Sequence, residues 1–349
     1  MIPDPVTFAA RQSAIRSRAM REAEEYVRSH IWALEDAVAN SLRELYLQAY
    51  NDLARALTLE FLHSAQGETW KATDPGFRAR TEALLRQINA EMETLTRQAG
   101  AMTLDASIRA WGAGYYGRAW ALEMGLRGGA VVMMPLLPAE AIRAAILSPY
   151  LGNTFLDRFA NARDEFVYLI RRSIVESQIR GEGIYAATMR LRRWLGLTGN
   201  IPRSMRARME MIARTEILRA SNQGAMSIYE NNRDLLKGWE WLSTKDERTC
   251  VTCAALDGQG FPFDFPQLPP PGGSHPMCRC TPIPILLDSE LERAIAGPRE
   301  IYRDWAARRG ISIHLDGGVL RFRGAPAPKS PSAGAKQSAP NLYASWKGA

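Results

Sequence analysis

The four cysteines of this 349-residue chain and one of its four histidines fall in one short stretch, Cys250-Val-Thr-Cys253 followed by His275-Pro-Met-Cys278-Arg-Cys280. Two thiolates separated by two residues can be aimed by a tight turn at one tetrahedral soft-acid metal, so the spacing points to zinc. Five donors, Cys250, Cys253, His275, Cys278 and Cys280, compete for four positions, which leaves either the histidine or one cysteine outside the coordination shell. A surplus of donors suits a structural Zn(2+) clamp better than a catalytic centre with a position open to water. A zinc deaminase would need His-x-Glu, whereas His275 is followed by Pro276 and Met277. Disulfides are the competing use of the thiols, but no secretory signal is recognisable at the start of the chain, and a reducing compartment is expected. The Pro- and Gly-rich connector from Ala254 to Ser274 is long for an unanchored loop, and the metal is expected to tether it.

A second polar constellation precedes the thiols. Met211, Thr215, Leu218, Asn222, Ala225 and Tyr229 follow one another at steps of four and three, so two polar groups interrupt an apolar helical stripe. Buried polar groups need partners, and Asp246, Arg248 and Thr249 are expected to supply them, with Arg214 and Glu216 in the same network. A basic segment, Arg190, Arg192, Arg193, Arg203, Arg206 and Arg208, continued by Arg214 and Arg219, has few carboxylates nearby in sequence and is a candidate for double-stranded DNA phosphates. A solvated face or an anionic protein partner is the plainer use of the same charges. His-Glu-x-x-His, a phosphate-cradling glycine loop and a nucleophile elbow are all missing, and His30, His63 and His314 lie far apart, so a zinc hydrolase or nuclease is the least favoured reading.

The elements that must position these residues are mainly helical. Apolar residues at Val27, Ile31, Leu34, Val38, Leu42, Leu45, Ala49, Leu53 and Leu57, and again at Leu84, Ile88, Met92, Leu95, Ala99 and Met102, predict two long helices in a hairpin over residues 1–130. Gly112, Gly114 and Gly117 inside the second pattern suggest close helix packing. Residues 131–200 read as helices, over Pro138 to Leu147, Leu156 to Arg180 and Gly183 to Leu195, ending in a linker from Gly196 to Pro202. Residues 201–323 read as a small α+β domain: a helix over Ser204 to Asn231, a strand at Trp239 to Ser243, an extended run through Phe261, Phe263 and Phe265, helix over Leu286 to Arg309 except at Gly297-Pro298, and a hairpin pairing Ile311 to Leu315 with Val319 to Arg323. From Gly324 the chain is rich in Ala, Pro, Ser and Lys and reads as a disordered tail, 324–349. The hydrophobic fraction of 46% is ample for a core, the net charge of +7 favours anionic partners, and no stretch approaches a membrane span.

Ile212-Ala-Arg-Thr-Glu216, Asn222, Trp241, Asp246-Glu-Arg-Thr-Cys250-x-x-Cys253, Leu256-Asp-Gly258 and His275-Pro-x-Cys-Arg-Cys280 occur in that order. Together they resemble the signature of the phage Mu F-like head morphogenesis proteins, over roughly residues 200 to 285. The resemblance implies a minor capsid protein of a tailed double-stranded DNA phage or prophage. It implies work in the host cytoplasm and then in the virion, beside the portal protein and other head or scaffold proteins. It carries over Cys250, Cys253, His275, Cys278 and Cys280 as metal donors and Arg214, Thr215, Glu216, Asn222, Asp246 and Arg248 as framework, with no catalytic residue. A toxin domain, which some relatives append, is not expected in the short tail.

Overall fold

Phe77–Leu126, fifty residues without a proline, forms the longest helix of the computed structural model and the axis on which the rest is built. The structure describes residues 18–63, 77–126, 132–135, 137–150, 152–182, 205–287, 302–309, 313–316 and 319–322, with isolated positions 186, 189, 190 and 193. The helix α1, Arg18–His63, precedes the long helix, α2, and runs antiparallel to it. The start of α1 meets the end of α2: Glu24 pairs with Arg118, and Tyr26 lies edge-on to Trp120. The predicted stripe is the buried one, from Val27 and Ile31 through Leu42 and Leu53 on α1 and from Leu84 through Ile88 and Met92 on α2.

Two shorter helices follow, α3 (Ala139–Leu147) and α4 (Phe155–Ile179). Thr154 and Asp157 fix the start of α4: the Thr154 hydroxyl accepts the Asp157 N–H at 3.1 Å and the Asp157 carboxylate accepts the Thr154 N–H at 2.9 Å, a reciprocal cap on two otherwise unpaired donors. The helix α5, Met205–Glu230, then lies against α2 and is buried nearly all round, including Ile212, Ile217, Ala220, Ala225, Ile228 and Tyr229.

Glycine decides how closely α2 and α5 approach. A β-carbon at Gly114 would sit 2.0 Å from the Ser221 carbonyl oxygen, and one at Gly224 would sit 2.1 Å from the Trp111 carbonyl oxygen, so the two backbones touch through reciprocal glycines. Gly117 makes the corresponding contact between α2 and Val27 of α1. Gly114 and Gly117 are therefore packing positions, and the helix runs through the glycines without a break.

After α5 come β1 (Leu236–Leu242), α6 (Val251–Leu256), β2 (Gly260–Phe261) and β3 (Thr281–Leu286), the strands forming an antiparallel sheet in the order β2-β1-β3. Trp239 stands opposite Phe261 on one side and Pro284 on the other. Trp239, Glu240 and Trp241 are all buried, so β1 is covered on both faces. Farther on, α7 (Tyr302–Arg308) is pinned to α2 by the Trp305 indole N–H, which donates to Glu123, and β4 (Ile313–Asp316) pairs antiparallel with β5 (Val319–Phe322).

Two expectations need correction. The helix anticipated from Leu286 to Arg309 is helical only over Tyr302–Arg308 among the described residues, and Leu286 instead ends β3, where it pairs with Leu236. The extended run through the three phenylalanines stops at Phe261: the Phe265 N–H turns back to the Pro262 carbonyl, which brings the Phe261 and Phe265 rings to 5.7 Å and leaves Phe263 under the Arg233 guanidinium. The linker from Gly196 to Pro202, most of the helix from Gly183 to Leu195 and the tail from Gly324 lie outside the described residues. Among the described residues, no helix is long and apolar enough to cross a membrane.

Candidate metal centre

The five donors reach the centre on three local devices. Cys250 is the N-cap of α6, its sulfur accepting the Cys253 N–H at 3.3 Å, so the Cys-x-x-Cys spacing is one helical turn with both sulfurs at the helix start. Ahead of it, Asp246 folds the chain into a tight turn by accepting from the Arg248 N–H and from the Thr244 and Thr249 hydroxyls. On the returning side the Met277 N–H donates to the Thr215 hydroxyl on α5, which holds the turn carrying His275 and Cys278 against that helix. Cys280 stands directly before β3.

These devices bring all five donors together. Cys250, Cys253 and His275 form one group and Cys253, Cys278 and Cys280 another, each with its ligand atoms within 4.8 Å of one another, and Cys253 belongs to both. Its sulfur lies 3.5 Å from the Cys278 sulfur and 3.5 Å from His275 Nε2. A tetrahedron with metal–sulfur bonds of about 2.3 Å has edges of about 3.8 Å. The spacing is therefore that of ligands around an ion, and all four cysteines are free thiols. His275 Nδ1 faces the Pro276 carbonyl at 2.7 Å, which assigns the proton to that nitrogen and leaves the Nε2 lone pair toward the thiols.

The acidities of the donors also fit an ion. The Cys278 thiol is drawn down to about 5, chiefly because the Cys280 thiol donates to it, while Cys253 is pushed up to about 12 by burial and by the neighbouring Cys278 charge. Cys280 is pushed up by its hydrogen bond to Cys278 and by burial. Cys250 is lowered by the Cys253 N–H, and His275 is raised because the Pro276 carbonyl and nearby thiolates outweigh its burial. Thiols this close cannot all ionise against one another, and a cation is what would let them. A cavity of about 450 Å³ opens beside them, with Asp36, Arg214 and Arg248 among its walls.

The second polar constellation is buried as expected, but its partners differ. Asn222 donates to the Pro270 and Cys280 carbonyls and accepts from the Thr281 hydroxyl, and Thr281 in turn accepts from Arg118, which pairs with Glu24. Asp246, Arg248 and Thr249 serve their own turn instead, because a short loop satisfies its nearest backbone donors first. Glu216 pairs with Arg158 and Arg219, while Arg214 pairs with Glu35, Asp36 and Glu210, so these charges form two separate networks. Asn222 also helps to hold the connector: its contact to Pro270 and the pairing of β2 with β1 tether the loop to α5 and to the sheet.

In the basic segment Arg190 pairs with Glu182, eight residues before it, Arg206 with Glu210, four residues on, and Arg208 with Glu165, 43 residues before it, so these three arginines each face a carboxylate. Arg193 is exposed, and Arg192 and Arg203 lie outside the described residues. His30 makes a local contact with the Tyr26 carbonyl at 2.7 Å, far from the donors in the chain. Glu24 and Arg118 extend the Asn222 chain and Glu35 anchors Arg214, yet none of the three was legible as functional, since each sits in an ordinary amphipathic helical pattern.

Thiols and an imidazole gathered at ligand spacing by a helix cap, a turn and a strand make a small α+β unit, docked on long helices, that could hold a metal ion. Residues 169–283 match the family model described as Phage Mu protein F like protein, so this segment is similar to that family. The match starts within α4 and ends within β3, taking in α5 and every donor. No curated protein and no solved structure matches the chain.

Proposed function

We propose that this is a minor capsid protein of a tailed double-stranded DNA phage or prophage, acting in head morphogenesis near the portal vertex, with structural zinc held by four of the five donors. The observation that carries the reading is the coincidence of the family match over 169–283 with the one unit that gathers Cys250, Cys253, His275, Cys278 and Cys280. Zinc is favoured over harder ions by a donor set of thiolates and imidazole. In this reading residues 1–130 present a long helical surface to the portal or other head proteins, 131–200 connect, 201–323 form the rigid docking module and 324–349 a tail. The role needs no bond-making chemistry, and the protein moves from the host cytoplasm into the capsid.

The test is quantitative mass spectrometry of purified procapsids and mature particles from an induced host. A low, fixed ratio of this chain to the portal and major capsid proteins is expected. Absence from both particles, with the protein abundant in the lysate, would overturn the reading. Zinc analysis of the purified reduced chain is expected to give one equivalent.

A further inference from the structure

Arg279 lies between two of the donors, and the Glu35 carboxylate on α1, 1% exposed, lies against it at 3.4 Å. The same carboxylate accepts from Arg214 of α5 at 2.7 Å. Arg279 also rests over the Trp32 ring, one turn before Glu35, with its guanidinium carbon 5.6 Å from the ring centroid. One buried carboxylate therefore joins three things: the ligand turn, the helix that holds that turn through Thr215, and the N-terminal helix, which lies wholly outside the family match.

We propose that Glu35 is a positioning residue for the metal centre, linking occupancy of the Cys/His cluster to the packing of α1 on α5. The proposal rests on the metal reading above. An ion bound by Cys278 fixes the backbone on one side of Arg279 and so the direction in which its guanidinium leaves the turn. A fixed guanidinium compensates the buried Glu35 charge, which otherwise relies on Arg214 alone, and Arg214 is shared with Asp36 and Glu210. Linkage is reciprocal: whatever the ion contributes to the seating of α1, the seating of α1 contributes to holding the ion.

The experiment is hydrogen–deuterium exchange on the full chain, reduced, with and without zinc, read in peptides covering 28–42 and 246–282. In the native chain zinc is expected to slow exchange in both segments, that on α1 by roughly 5- to 150-fold, the ordinary range of such couplings. In Arg279→Gln, zinc still slows exchange in 246–282, but the response on α1 disappears. A clamp serving stability alone would change α1 equally with and without zinc. Arg279→Lys, which keeps a charge but not the planar fork, is expected to retain part of the response and serves if the Gln variant does not fold. Zinc protection confined to 246–282 in the native chain, or an α1 response unchanged in Arg279→Gln, would overturn the linkage while leaving the metal reading standing. A native chain that binds no zinc would overturn both.

Discussion

Cys253 is the donor common to both groups, and its replacement separates them, whereas Cys250 and Cys280 belong to one group each. Cys253→Ser is therefore expected to abolish stoichiometric zinc binding, while Cys250→Ser, His275→Ala, Cys278→Ser and Cys280→Ser weaken it unequally, the mildest of the four marking the spare ligand. Zinc retained by gel-filtered protein, read by atomic emission, checks this. A second residue-scale prediction concerns Asp257, whose carboxylate accepts the Ser243 N–H at 2.9 Å and pairs with Lys245 at 2.9 Å. Its burial works against ionisation, but those two partners win and its pKa lies below the usual carboxylate value. A depressed value means stability that is present above the unfolded pKa of about 3.9 and lost as pH falls through the folded one. Asp257→Asn should cost about 1–2 kcal/mol at pH 7, and the difference from native should shrink on acidification below pH 4 in urea melts. The five donors were legible because cysteine and histidine announce themselves by spacing. Glu24, Glu35 and Arg118 were not, because a charge on a long helix shows nothing of the partner that folding brings from 90 to 240 residues away.

The long helices could be traced from periodicity because α1 and the first half of α2 bury a single stripe; from residue 110 to 122 α2 is buried on every side, and its packing on α5 was legible only in part. Gly112, Gly114 and Gly117 suggested a close approach, but the reciprocal Gly224 gave no signal of its own, as its partner is identified only by the fold. The strand β1 was found by its tryptophans, whereas β3, Thr-Pro-Ile-Pro-Ile-Leu, was hidden by two prolines that a central strand would reject; it pairs with β1 on one side only, at the edge of the sheet. Gly224→Ala should be severe, since the added methyl meets the Trp111 carbonyl and the Tyr115 nitrogen, backbone that cannot swing aside. We expect a loss of at least about 3 kcal/mol, seen as a lower thermal midpoint. Gly100→Ala is the control: its methyl meets only the end of the Leu156 side chain at 3.0 Å, and about 1 kcal/mol of helix propensity offsets that crowding.

At the scale of the whole molecule the question is what a net charge of +7 is for. A charge surplus directs a protein to DNA when guanidiniums stand together without counter-charges, since each phosphate contact then releases a counterion. Here Arg190, Arg206, Arg208, Arg214 and Arg219 each face a carboxylate: Arg208 and Arg214 join α5 to α4 and α1, while Arg206 and Arg219 pair within α5. Binding to double-stranded DNA by the purified chain should accordingly stay at the weak, sequence-independent level, with dissociation constants no tighter than about 10⁻⁶ M at physiological salt. Fluorescence anisotropy across a salt series checks it, and the variants separate the two uses of the charge. If the arginines are structural, Arg206→Ala and Arg208→Ala lower the thermal midpoint and leave the salt slope unchanged. If they meet phosphate, each removal reduces the slope by about one, and the carboxylates opposite them become the competitors that DNA must displace.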